Sequence, residues 1–165
     1  MDIFQKSIID DSITHLEALL DSGVLISENW GKPIFRSTFL DVIVTLRNLL
    51  GQLDDCKLRV DFKDDIVLSE KIGDISDLVV FIRNAFCHPK SPENVYKQGD
   101  TVKLVYFFNI SNEKDGDICF YFGTHQIFLK RHIVRAFEEA KKKVKYEKRK
   151  SPQEILDSLK ENKDE

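Results

Sequence analysis

Apolar positions fall at three- and four-residue steps in several stretches of the chain, the spacing of one face of a helix. Residues 2 to 22 carry Phe4, Ile8, Ile9, Ile13, Leu16, Leu19 and Leu20 in that pattern, and Gly23 is well placed to end the helix. Val24 to Arg36, with Trp30, Gly31 and Pro33, reads as a connector. Ser37 is a natural N-cap for a second helix running to about Cys56, with a buried stripe of Phe39, Ile43, Leu46, Leu49, Leu50 and Leu53. Leu58, Val60 and Phe62 then alternate with Arg59, Asp61 and Lys63, as a short strand would. A third helix opens near Asp74 or Ser76 and carries Ile75, Leu78, Val79, Ile82 and Phe86. It stops around His88, because Pro89 disfavours the α conformation in the residue before it.

The period then changes. Lys90 to Asp100 reads as a loop, and Thr101 to Ile110 is rich in β-branched and aromatic residues. Ser111 to Asp117 contains the hairpin signal Lys114-Asp115-Gly116-Asp117, so Ile118 to Phe122 is the expected partner strand. A fourth helix is expected from about Leu129 to Arg149, through Ile133, Phe137, Ala140 and Val144. Ser151-Pro152-Gln153-Glu154 has the form of a capping box, followed by Ile155, Leu156 and Leu159. The expected fold is mainly α: a four- to five-helix bundle with a β-hairpin insertion between the third and fourth helices. Residues 1–150 form a single domain in this reading, with the insertion at about 101–122, and 151–165 are a charged tail, a short helix or frayed.

Composition supports one self-sufficient core. The chain has 165 residues, 42% of them hydrophobic, and twelve Phe supply large apolar surface without metal or disulfide staples. Three cysteines, Cys56, Cys87 and Cys119, include no CxxC pair, which points to reduced thiols in the cytoplasm. The start, Met1 to Lys6, lacks the pattern of a signal peptide, and no apolar run approaches the roughly 20 residues of a membrane span. Net charge is −3, unevenly spread. Residues 130–150 hold ten Lys or Arg against three Glu, and the last fifteen residues hold two Lys against five acids, so the first 129 carry −7. One basic segment on an acidic body suits a polyphosphate-binding surface. It equally suits a solvated helix whose Lys-rich last turn complements the helix dipole.

Nucleotide-cradling loops of the GxxxxGK[ST] and GxGxxG kinds are absent, as is a GxSxG elbow. Cys87, His88, Cys119, His125 and His132 are soft ligands without zinc-finger spacing, so no metal or other cofactor is expected. Asp54-Asp55 and Asp64-Asp65 stand beside Lys57 and Lys63 and read as solvated turns. The segment Arg83-Asn84-Ala85-Phe86-Cys87-His88 is different. Positions five apart on a helix are separated by about 140°, so Arg83 and His88 meet only if the chain leaves the helix at the residue before Pro89. Brought together, they suffice to cleave RNA without a metal. A near-neutral His can take the 2′-OH proton or return one to the leaving oxygen. An Arg fork can hold the scissile phosphate, and the Asn84 amide can bond phosphate or position His88. The structural alternative has Arg83 paired with an acid and His88 capping the helix C-terminus.

This R-N-x3-H segment, near the end of the third helix of a mainly helical domain, resembles the signature of the HEPN superfamily. The resemblance covers roughly residues 2 to 149, and only the hexapeptide is specific. It implies a helical bundle with the motif on a late core helix, metal-independent endoribonuclease activity, a role as a toxin or defence effector, a homodimer in which two motifs line one cleft, and an antitoxin partner. Arg83, Asn84 and His88 would be the catalytic set, with Lys141, Lys142, Lys143 and Lys145 guiding the RNA backbone. Other members of the superfamily have lost cleavage, so the alternative is a non-catalytic nucleotide-, RNA- or protein-binding module. The hairpin is a departure from the plain bundle.

Overall fold

The computed structural model describes residues 2–88, 95–98, 101–104, 116–122 and 125–146, with the backbone alone for 95–98 and 101–104. Helix α1 spans Ile3–Leu20 and opens on a capping box, in which the Asp2 carboxylate accepts from the Gln5 N–H and the Gln5 side chain accepts from the Asp2 N–H. Gly23 follows it in the left-handed region. Only Ile9, Ile13 and Leu16 of its apolar residues are buried; Phe4 stays 75% exposed, against the expectation of a stripe running the full helix. Ile3 and Ile8 are likewise exposed, so the apolar spacing of the first turns does not become a buried stripe.

Helix α2, Pro33–Asp55, is the central element and buries Phe35, Phe39, Val42, Ile43, Leu46, Leu49, Leu50 and Leu53. It packs against α1 on one side and α3, Ile75–Cys87, on the other. It begins four residues before the Ser37 expected as its cap. Pro33 at the first helical position is compatible with a start there, and the Ser37 hydroxyl instead donates back to the Pro33 and Ile34 carbonyls. The expected strand at Leu58 to Leu68 does not form: the described chain between Lys57 and Asp74 is irregular apart from a bridge between Ser69 and Ile72. Its apolar residues still serve the core, with Val60 buried and Leu58, Phe62 and Ile66 packed against it.

The β region lies between the third and fourth helices, as expected, but the pairing differs. Strand β1, Val95–Gln98, pairs antiparallel with β2, Thr101–Leu104, and β3, Cys119–Phe122, with β4, His125–Phe128. The registers Gln98↔Thr101 and Phe122↔His125 leave two residues each, Gly99-Asp100 and Gly123-Thr124, to join the strands. A Gly opening a two-residue link is a strong hairpin signal; the expected turn at 111–117 lies mostly outside the described residues. Residues 105–110 of the expected first strand lie outside the described residues, as does 147–165, which contains the expected tail. Phe120 of β3 packs on α2, with ring centres 4.7 Å from Phe39 and 6.3 Å from Phe35, and Phe122 stands 6.3 Å from Phe86 of α3.

From β4 the chain enters a π-helical turn, Leu129–Val134, which continues as α4, Arg135–Val144. The Asp117 carboxylate accepts from the Lys130 and Arg131 N–H groups and so anchors the turn's start. Helix α4 ends at Lys145 in the left-handed region, earlier than the expected Arg149. The fold is thus mainly helical, with the β structure inserted before α4. No described helix is long and apolar enough to cross a membrane.

Candidate functional site at the end of the third helix

Helix α3 starts where Asp74 accepts from the Asp77 N–H and buries Ile75, Leu78, Val79, Ile82, Ala85 and Phe86. That stripe locks the rotation of the helix. Arg83, Asn84 and Cys87 fall off it and are half-buried, while His88 is exposed. The N–H of His88 still donates to the Asn84 carbonyl at 3.0 Å, but its own backbone is extended, with φ −122° and ψ 91°. The helix therefore stops at Cys87, leaving His88, the residue before Pro89, extended. This exit turns the imidazole back, bringing His88 Nε2 to 3.4 Å from Arg83 Nη1. The same Arg83 nitrogen donates to Asn84 Oδ1 at 3.2 Å.

The three residues singled out by sequence are thus brought together. Because a guanidinium only donates, Nε2 is the acceptor in the Arg83–His88 contact. At 3.4 Å the contact sits at the long end of hydrogen-bond distances, with the Nε2 lone pair held beside a positive charge. This is the arrangement of a base next to an anion clamp. The alternative in which Arg83 pairs with an acid does not describe its geometry: among the described residues, its hydrogen-bond partners are Asn84 and His88.

The lysines divide. Lys141 is a packing residue: its ammonium lies 2.7 Å from Glu17 and 3.5 Å from Glu138 and 5.1 Å from the centre of the Phe137 ring. Burial works against its charge, but the Glu17 hydrogen bond and the nearby Glu138 outweigh it and raise its pKa above the ordinary value. Lys142 is exposed and pairs with Glu139 at 2.9 Å, and Lys143 and Lys145 are exposed. Lys141 reaches Glu17 of α1. The acidic turns are likewise more than solvated: Asp54 binds Arg59 at 2.6 Å and Asp64 binds Arg135 at 2.7 Å.

Of two histidines outside the motif, His132 is buried and His125 half-buried. The His125 ring packs edge-on against Phe81 of α3 with centres 4.7 Å apart, and burial lowers its pKa. His132 is fully buried in the π-helical turn, where Nδ1 accepts from the Phe128 N–H, and burial again lowers its pKa. Sequence gave no signal for the Phe81–His125 contact, since a β4 residue and a helix residue 44 positions earlier share no local pattern. Among the described residues no group of three His, Cys, Asp or Glu side chains is placed to hold a metal ion. No family model, no curated protein and no solved structure matches this chain.

Proposed function

We propose that this protein is a metal-independent endoribonuclease of the HEPN type, acting on RNA in the cytoplasm, as a toxin or defence effector with an antitoxin partner. The observation that carries this reading is the approach of His88 Nε2 to Arg83 Nη1 at the exposed end of α3. A strand phosphate entering between them would be held by the guanidinium, with Asn84 keeping the fork in place. His88 Nε2 takes the 2′-OH proton as the 2′ oxygen bonds to phosphorus. The bond from phosphorus to the 5′ oxygen breaks, and that oxygen receives a proton to leave as a hydroxyl. The other product is a 2′,3′-cyclic phosphate. Arg83 stabilises the charge that develops on the phosphoryl oxygens. Lys142, Lys143 and Lys145 supply exposed positive charge for the strand backbone. The outward stripe of α3, where Val80 is 40% exposed, is the surface on which a second copy would bring its own motif alongside.

The test is cleavage of single-stranded RNA in excess EDTA. RNA should be cut to ends bearing a 2′,3′-cyclic phosphate or its opened product, and DNA should remain intact. His88→Ala and Arg83→Ala should each slow cutting by about 10²- to 10⁴-fold without unfolding the protein. Wild-type protein that cuts nothing, or His88→Ala that cuts equally well, would leave the non-catalytic binding module as the reading of the fold.

A further inference from the structure

At the start of α2 the chain folds around a groove of about 500 Å³, within the roughly 300–1,000 Å³ typical of small-molecule sites. Its wall is apolar and aromatic, with Trp30, Pro33, Phe35 and Leu40, and Lys32 and Arg36 supply its charge. Trp30 is fixed by edge-to-face contact with Phe35 at 5.4 Å and by Phe120 at 5.6 Å, so the β3 hairpin braces this wall. No described residue lining the groove is acidic, although the first 129 residues together carry −7. Lys32 Nζ donates to the neutral Asn29 Oδ1 at 2.9 Å. Arg36 links the groove to α3: its guanidinium carbon lies 5.7 Å from the centre of the Phe86 ring, two residues before His88.

We infer that this groove receives an unpaired nucleotide of the strand whose neighbouring phosphate lies at Arg83 and His88, the base against Trp30 and the phosphate towards Lys32 and Arg36. The inference rests on the ribonuclease reading for the identity of the strand, while its chemistry comes from the groove itself. A flat aromatic wall with local positive charge is how proteins hold single-stranded nucleic acid, because every base has a face to stack and every nucleotide a phosphate.

Trp30 is the only tryptophan, so its emission reports on this groove alone. The probe is a fluorescein-labelled hexanucleotide with 2′-O-methyl groups, which binds but cannot be cut, and binding is also followed by its anisotropy. Binding should be accompanied by a saturable fall in Trp30 emission, which the same concentration of inorganic phosphate does not cause. By anisotropy, Trp30→Leu should weaken binding roughly tenfold to a hundredfold, the loss of one stacked base. Lys32→Glu with Arg36→Glu should weaken it by on the order of tenfold or more and flatten its salt dependence; both side chains are exposed, so the fold survives this second variant. Binding with unchanged Trp30 emission, binding unaffected by the double charge reversal, or no binding at all overturns the groove and leaves the ribonuclease reading to its own cleavage assay. Quenching by the hexanucleotide in a protein that cuts no RNA keeps the groove and removes the enzyme.

Discussion

The two ends of α3 each present an arginine, and the two are held in opposite ways. At the first turn Arg59 is saturated with carboxylates: it meets Asp74 through two nitrogens at 2.9 and 3.1 Å, Asp54 at 2.6 Å and Asp77 at 2.7 Å. The Asp74 hydrogen bond leads in raising its pKa, burial opposes that, and Asp54 and Asp77 add to it. The acids are in turn committed to the backbone, Asp74 to the Asp77 N–H and Asp77 to the Gly73 N–H. This end is a stitch that ties α2, the irregular chain after it and α3 together, with negative charge where the helix dipole is positive. At the last turn Arg83 touches a neutral amide and an imidazole. Among the described residues its charge is not paired with an acid. The difference separates an arginine that builds the fold from one available to a ligand.

That contrast breaks most directly under substitution. Arg59→Ala should cost about 2–3 kcal/mol in urea unfolding, below the 3–5 of a fully buried pair because the cluster is partly solvated. Arg83→Ala should stay within about 0.5 kcal/mol. Equal losses at the two ends would erase the distinction. A smaller effect separates both ends of α3 from His125 and His132. The lowered pKa values of His125 and His132 mean that the unfolded chain takes up protons first as pH falls. Their contribution is therefore complete above about pH 6.5 and is lost on acidification towards the folded values, at up to about 1.4 kcal/mol per pH unit for each histidine. Unfolding measured from pH 7 to 5.5 should show that slope, and His132→Gln should flatten it while Arg59→Ala leaves it unchanged. Smallest is the difference among the lysines. Lys141→Ala should cost roughly 0.5–1 kcal/mol, since it loses an ion pair and a packed stem, and Lys143→Ala should cost close to nothing. Matching thermal shifts for the two would return Lys141 to the exposed set.

Much of this was readable where local chemistry and packing agree. Helix α3 forms within a residue of the boundaries set by Asp74 and Pro89, because a cap, an apolar stripe and a proline stop all point the same way. The closeness of Arg83 and His88 was readable only as a condition, since it depends on the backbone of one residue leaving the helix. Where two local signals compete, spacing alone does not decide: Pro33 is a breaker inside a helix, yet at the first helical position it begins α2. The burial of Lys141 and the exposure of Phe4 depend on which element lies opposite, and no spacing along the chain encodes that. The Trp30 groove was passed over for the same reason, because its residues read as a mere connector until Phe120 closes one side.

The π-helical turn before α4 has a consequence for what lengths of chain this protein can tolerate. A π turn accommodates one more residue than an α turn in the same rise, so Leu129–Val134 behaves as a one-residue insertion. Its first turn is pinned by Asp117 and its last runs straight into α4. Deleting one residue there would let the segment relax to ordinary α-helix while α4 keeps its rotational phase. Ala136, Phe137 and Ala140 would still face the core, and Lys141 would still reach Glu17. A frame-preserving deletion of one codon in this stretch should therefore be far less damaging than the same deletion in the middle of α2, where every following residue would turn by about 100°.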